Sequence, residues 1–354
     1  MVRKSHPNSA RLNNMLRKKL VEANDVMIEA ESSSRAFNSN DIKRKIKGSE
    51  GGSFYSLAEE RIKRKRSEGV YSVAGPEQSI LNNIKKFHGS KDLNFDEITF
   101  SFIQKFKTYC KSVLKHKSSR TITNHLIFIR TVYNTALKEG LAKEEDYPFA
   151  GENEKIRLKR SMKIGLTKVE IQRIENLTLK PGTSVWHARN VFLFSFYFAG
   201  IRISDVLKMK WSAVEDNRLY YVMNKNEKVN SLKIGDKAQG ILDLYANNGS
   251  GLSDFIFPDL KKSNPNDPED IFIKSKTATK RFNKHLKNIA KLAGIDKNLS
   301  NPIARHSFGN ISGDKIHPLM LQKLYQHSDL KTTINYQANF INKDADDALD
   351  EVIG

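Results

Sequence analysis

The residues of this chain that could do chemistry are a few basic side chains at fixed points, closed by a tyrosine. The first group is Ala199-Gly-Ile-Arg-Ile-Ser-Asp205, which follows a strongly apolar stretch from Val185 to Ala199. Gly200 can end a helix there, Ser204 or Asp205 can cap the next one, and Arg202 is then held in the corner between them. An arginine fixed in that way can give paired hydrogen bonds to a phosphate. It can equally satisfy the last carbonyls of the helix before it. The second group is Ser300-Asn-Pro-Ile-Ala-Arg-His-Ser-Phe308. It reads as a helix N-terminus, with Ser300 or Asn301 as cap and Pro302 at the first helical position. Arg305 then lies in the first turn or just beyond, near the end of the helix dipole that attracts anions. Gly309 and Gly313 allow close packing behind it. In the third group, Tyr325-Gln-His327-Ser328 leads into Thr332-Thr-Ile-Asn-Tyr336, so Tyr336 follows His327 by nine positions.

Other chemistries are excluded by what is missing. There is no phosphate-binding loop, no dinucleotide-binding glycine fingerprint and no His-Glu-x-x-His. The histidine pair around one apolar residue, used by metal-dependent tyrosine nucleases, is also absent. Cys110 is the one cysteine, which rules out a disulfide framework or a cysteine-rich zinc site within one chain. No metal and no cofactor are therefore expected. The charge points to a polyanion. Sixty Lys and Arg against 40 Asp and Glu give +20, and residues 1–165 hold 33 basic and 19 acidic side chains, most of that excess. DNA is the commonest partner for such a field, although a basic protein with merely solvated charge has the same composition. The sequence has no run of 18 apolar residues and no apolar stretch near Met1, so no membrane partner is expected, and the expected location is the cytoplasm, in association with the nucleoid.

These side chains need elements to position them. Residues 1–52 read as a basic arm with one helix from Leu12 to about Ala30, closed by the linker signal Glu50-Gly-Gly-Ser53. Residues 53–145 read as a helical domain. Apolar stripes at 3–4 spacing mark four helices: Phe54, Leu57, Ile62; Ile80, Leu81, Ile84, Phe87; Phe100, Ile103, Phe106, Tyr109; and Ile122, Leu126, Ile129, Val132, Tyr133, Ala136. Arg61, Lys63, Arg64, Lys65 and Arg66 on one outer face, with Lys115, Lys117 and Arg120 at a turn, are candidate DNA contacts. Residues 146–165, with Pro148 and Gly151, read as a linker. Residues 166–354 open on a capping box, Thr167 with Glu170. A hairpin of Leu219–Met223 and Val229–Ile234 follows, then a short extended piece at Asp254–Pro258 and helices over Ala278–Ala293 and from Pro302 onward. Ile341, Ala345, Leu349 and Val352 suggest a terminal helix. The expected class is mainly α with a small β-hairpin or sheet, the second domain being α+β.

Gly-Ile-Arg-Ile-Ser-Asp205, Ala-Arg-His-Ser-Phe308, His327-Ser followed by Tyr336, and Leu166-Thr-x-x-Glu170 together resemble the tyrosine recombinase (phage integrase) family. They fall in order across residues 166–340, and residues 53–140 resemble the helical core-binding domain that precedes the catalytic domain there. The resemblance implies a site-specific recombinase or integrase of a mobile genetic element. Such an enzyme cuts and rejoins double-stranded DNA through a 3′-phosphotyrosine, without metal or ATP, as a homotetramer on DNA. By the same resemblance Arg202 and Arg305 clamp the scissile phosphate, His327 hydrogen-bonds it, and Tyr336 is the nucleophile. Lys225, where the hairpin turn begins, matches the lysine that protonates the leaving 5′ oxygen, and Lys228 competes for that role. The histidine usual three positions before the second arginine is Pro302 here, which cannot accept a proton. Asn301 and His306 are the auxiliary candidates beside it. The terminal helix would dock on a neighbouring protomer in the family, or pack on its own domain. Three alternatives share parts of the pattern: a catalytically impaired DNA-binding accessory protein, a type IB topoisomerase, and a metal-dependent transposase.

Overall fold

A computed structural model describes residues 6–32, 52–89, 92–151, 156, 164–222, 229–246, 251–334 and 352–353. The chain divides into two compact units, residues 1–160 and 161–354.

In the first unit, helix α1 covers Ser9–Ser32, somewhat longer than its apolar residues suggest. Four further helices follow: α2 (Phe54–Ser67), α3 (Tyr71–His88), α4 (Phe100–Ser112) and α5 (Ser119–Lys138). Their ends have local causes. The Ser53 hydroxyl accepts the Ser56 N–H at 3.1 Å to start α2, and Gly89 closes α3 in the left-handed region. Phe54, Phe95, Phe106, Ile129 and Tyr133 are sealed in the core, and Phe54 meets Phe95 edge-on at 5.8 Å. Two details depart from the periodicity. Phe100 is exposed, because Thr99 caps α4 and turns the next residues so that Phe102 packs on Phe87 instead. The stretch from Tyr147 to Phe149, inside the expected linker, packs into this same core, and the Tyr133 hydroxyl donates to the Asp146 carbonyl at 3.0 Å.

The second unit is built around α7 (Ser184–Tyr197), in which Val191, Phe192 and Phe194 are fully buried. Before it lies α6 (Lys168–Glu175) and after it the single turn α8 (Ile203–Val206). A three-stranded antiparallel sheet follows, β1 (Val214–Glu215), β2 (Arg218–Val222) and β3 (Val229–Lys233), in that order, with Tyr220 opposite Ser231. The expected hairpin is β2–β3. Strand β1 is an addition, joined to β2 by Asp216-Asn217, both left-handed, the conformation that a tight hairpin turn requires. Then come α9 (Asp236–Tyr245), α10 (Pro268–Leu292), α11 (Asn301–Ser312) and α12 (Pro318–Tyr325). Helix α9 and the first ten residues of α10 were not expected. Asp267 accepts from the Glu269 and Asp270 N–H groups and Pro268 begins α10, a start signal that lies ahead of its apolar stripe. Helices α9, α10 and α11 pack on α7. His187 of α7 lies 2.6 Å from the Tyr245 hydroxyl and 2.8 Å from Asp259, which pairs with Arg281 of α10. Among the described residues no helix is long and apolar enough to cross a membrane. Ile341, Ala345 and Leu349 of the expected terminal helix lie outside the described residues.

The capping box that opens α6 is formed as its residues dictate. Glu170 Oε2 accepts the Thr167 N–H at 2.7 Å and the Lys297 ammonium at 2.7 Å, and Lys297 also donates to the Gly165 carbonyl. Burial alone would raise the pKa of Glu170, but the hydrogen bonds from Lys297 and Thr167 outweigh it and hold it below the usual value. A depressed carboxylate stabilises the fold above its unfolded pKa, and that contribution is lost as pH falls through its folded pKa. Glu170→Gln should therefore lower the unfolding free energy by about 1 kcal/mol at neutral pH. In urea titrations the gap to wild type should close as the pH is brought down through the carboxylate range; a gap independent of pH would show that charge plays no part.

Candidate active site

The site begins at the end of α7. Ala199 (φ 56°) and Gly200 (φ 70°) are both left-handed, and the Gly200 N–H donates to the Ser195 carbonyl at 2.7 Å, so the helix stops there. The Ser195 hydroxyl reaches forward to the Ile201 carbonyl at 2.6 Å and fixes the turn. Arg202 itself occupies the N-cap position of α8 in extended backbone, and its carbonyl accepts from Asp205 at 2.8 Å and Val206 at 3.0 Å. This corrects the expected cap: Ser204 and Asp205 sit inside the turn, because the backbone carbonyl of Arg202 does the work that a side-chain oxygen would do. A Cβ placed on Gly200 would lie 2.3 Å from Arg305 Cα, so the two backbones touch.

Arg305 enters from the other side of that contact. Ser300 is the N-cap of α11 by its backbone, without a side-chain hydrogen bond, and Pro302 lies within the first turn. Arg305 is only 6 % exposed. Its Nη1 donates to the Gly200 carbonyl at 3.3 Å, and its Nη2 to the Tyr325 carbonyl at 2.8 Å. The guanidinium lies over the Tyr325 ring, 3.8 Å from its centre, and the Tyr325 hydroxyl donates back to the Arg305 carbonyl. After α12, Gln326 takes the left-handed conformation (φ 50°) and turns the chain, so that His327 comes within 3.2 Å of Arg305 Nη2. Gln322 holds His327 in place from both sides, accepting its N–H and donating to its carbonyl, each at 3.1 Å.

Arg202 and Arg305 act on the same neighbour. Burial pushes the Tyr221 phenol up in pKa, opposed by a hydrogen bond from Asn230 and by the charges of Arg305 and Arg202, with Asp205 adding to the rise. A cavity of about 340 Å³ beside it is lined by Asp205, Lys208, Lys210, Tyr220 and Tyr221. Lys208 and Lys210, both exposed, were not among the expected residues, although Lys208-Met-Lys210 follows directly on the arginine corner. The two lysines at the edge of this cavity suit an anion, and among the described residues no cluster of His, Cys, Asp and Glu could hold a metal.

The remaining candidates fall in several places. Asn301 is buried, with its backbone and side-chain N–H groups both donating to Asn283 Oδ1 at 2.9 Å, so it fastens α11 to α10. His306 is half-buried and Pro302 is exposed. Lys225, Lys228 and Tyr336 lie outside the described residues, as does Met223. In the first unit, Arg61 is held by Glu77 through both carboxylate oxygens, at 2.9–3.2 Å, and so ties α2 to α3. Arg64 and Lys65 pair with Glu68. Lys63, Arg64, Arg66, Lys115, Lys117 and Arg120 are exposed, and Lys65 is half-buried.

The family model described as "Phage integrase SAM-like domain" matches residues 53–156, and that described as "Phage integrase family" matches residues 165–343. No curated protein matches the chain by sequence. Among solved structures, a lambda integrase dimer bound to a COC′ core site is 16% identical, with a TM-score of 0.61, over 80% of this chain and 95% of that one. The Tn1549 transposon integrase in complex with transposon right end DNA is 14% identical, with a TM-score of 0.58, over 80% and 94%. A lambda integrase tetramer bound to a Holliday junction is 16% identical, with a TM-score of 0.59, over 90% and 85%.

The contact of Gly200 with Arg305 gives a direct test. Gly200→Ala adds a methyl group where backbone already stands and forces a left-handed alanine, so it should destabilise the protein by about 3 kcal/mol or more. Gly240, inside α9 with open space around its Cα, is the control: Gly240→Ala should stabilise by roughly 0.5–1 kcal/mol. Thermal unfolding of the two variants should move in opposite directions; equal shifts would mean that Gly200 is not tightly packed.

Proposed function

The chain belongs to the phage integrase family, and from that premise we propose that it is a site-specific DNA recombinase that cuts and rejoins DNA through a covalent link to Tyr336. The observation that carries this reading is Arg305, a buried cation fixed at the backbone of Gly200, with His327 at its edge and Arg202 on the adjoining corner. That arrangement suits a phosphodiester whose charge grows as it is attacked. In the proposed reaction the Tyr336 oxygen attacks the scissile phosphorus as its proton passes to solvent water, and the bond from phosphorus to the 5′ oxygen breaks. The 5′ oxygen leaves with a proton from Lys225. A 3′-phosphotyrosine remains, which a 5′ hydroxyl of the partner duplex attacks in the reverse sense, so the bond energy is conserved and neither ATP nor a metal takes part. Arg202 and Arg305 neutralise the pentavalent phosphorus, and each such donor commonly contributes ~10²–10³ in rate.

Strand exchange between two duplexes needs four active sites, so the working form is a tetramer on DNA, and lambda integrase has been seen as a tetramer bound to a Holliday junction. The exposed Lys63, Arg64, Arg66, Lys115, Lys117 and Arg120 supply phosphate contacts from the first unit. Arg61, neutralised by Glu77, serves the fold instead. One observation favours a second reading, a DNA-binding protein of the same fold with weakened cleavage: Pro302 occupies a position where the family usually has a histidine, and Asn301 beside it is bound to Asn283.

Tyr336→Phe separates the readings, since it keeps the ring and removes only the oxygen. Wild type should trap a covalent complex on a nicked duplex, in EDTA as well as without it, and Tyr336→Phe should trap none. A complex that survives in the Phe variant would move the nucleophile elsewhere, and no complex in wild type would favour the second reading. The acid is tested by chemistry as well. Lys225→Ala should cleave an ordinary phosphodiester at least ~10²-fold more slowly. Sulfur in place of the 5′ bridging oxygen should restore most of that loss, because a thiolate leaves without a proton. Sulfur rescue of Lys228→Ala, with Lys225→Ala still slow, would assign the acid to Lys228.

A further inference from the structure

The partners of His327 define which of its ring nitrogens carries the proton. Arg305 Nη2 lies 3.2 Å from His327 Nε2, and a guanidinium stays protonated and can only donate. Nε2 must therefore accept, which leaves the proton of the neutral imidazole on Nδ1. Nδ1 lies 3.0 Å from the hydroxyl oxygen of Thr333, a residue with no exposed surface, so the Thr333 hydroxyl accepts that proton's hydrogen bond away from water. The ring is also bounded by Tyr325, which stands edge-on at 5.2 Å. A flip of the ring about Cβ–Cγ would put Cδ2 where Nδ1 stands and Cε1 where Nε2 stands. Both nitrogens would then lose these partners, so the Thr333 oxygen and Arg305 together select the orientation seen.

We propose that Thr333 is a positioning residue for His327: by holding Nδ1–H it turns the Nε2 lone pair towards Arg305, whose guanidinium it helps to fix. The role depends on the hydroxyl. Serine can reproduce it, whereas valine has nearly the same shape and no acceptor. Thr332, the neighbouring residue, is exposed and serves as the control. The proposal rests on the recombinase reading for its consequence in catalysis, but the orientation of the ring can be read without DNA.

The experiment uses the full chain labelled with ¹⁵N in histidine, as wild type, Thr333→Ser, Thr333→Val and Thr332→Val. In the free protein, the nitrogen shifts of His327 should report a protonated Nδ1 and an unprotonated Nε2 in wild type, Thr333→Ser and Thr332→Val. Thr333→Val should lose that pattern. In single-turnover cleavage of a nicked duplex, Thr333→Val should be ~10-fold slower or more, with DNA affinity unchanged, while Thr333→Ser and Thr332→Val stay near wild type. Wild-type shifts and wild-type rate in Thr333→Val would overturn the proposal, as would a Thr333→Ser variant as impaired as Thr333→Val. If wild type forms no covalent complex, the recombinase reading fails, and the shifts still decide the orientation of the ring.

Discussion

The backbone of Gly200 lies against the backbone of Arg305, and the second unit is arranged around that contact. Two features of the sequence make it possible. The chain leaves α7 through two left-handed residues, and the second of them has no side chain, so the corner can close to a distance that any Cβ would forbid. The corner carries Arg202 and α11 carries Arg305, residues a hundred positions apart that share no local structure. The surrounding elements hold that junction: α7 is buried through Val191–Phe194 with α9, α10 and α11 packed over it, and Asn301 fastens the start of α11 to α10. Even the entry to the unit is fixed to the same helix, since the Leu166 N–H donates to the Ser307 hydroxyl at 2.8 Å and Gly165 meets the His306 carbonyl.

A buried arginine is costly unless its charge is met on all sides. Here two backbone carbonyls, the lone pair of an imidazole and the face of a tyrosine meet it. Carbonyl dipoles and an aromatic face orient a cation without bringing an opposing full charge. A cation held like this needs little rearrangement when an anion arrives, which is the condition under which electrostatic stabilisation of a transition state is largest.

The features that were legible in the sequence are local ones. The capping box of Thr167 and Glu170, the stripes of α2 to α5, the glycine stop after α7 and the proline in the first turn of α11 each depend on residues within a turn of one another. Strand β1 is two residues long, too short for any alternation, and only the Asp216-Asn217 turn announces it. Pairings across the chain were not legible: Arg61 with Glu77, Asn301 with Asn283, and His327 with Thr333 and Arg305. Ser204 and Asp205 are good capping residues by type, and yet a carbonyl took the position, because the corner is set by its contact with α11 rather than by its own residues. The roles proposed for Lys225 and Tyr336 rest on the family pattern alone, since neither lies among the described residues.

The central claim is that Arg305 is a preorganised positive charge for a phosphate, and a change in the charge of the substrate tests it most directly. Replacing one non-bridging oxygen of the scissile phosphate by a methyl group removes the negative charge that the guanidinium would neutralise. An Arg305→Ala protein with an intact unfolding transition should cleave the ordinary phosphodiester ~10²–10³-fold more slowly than wild type, and should recover most of that loss on the methylphosphonate. An equal loss on both substrates would contradict the account, and would leave Arg305 as a part of the scaffold only.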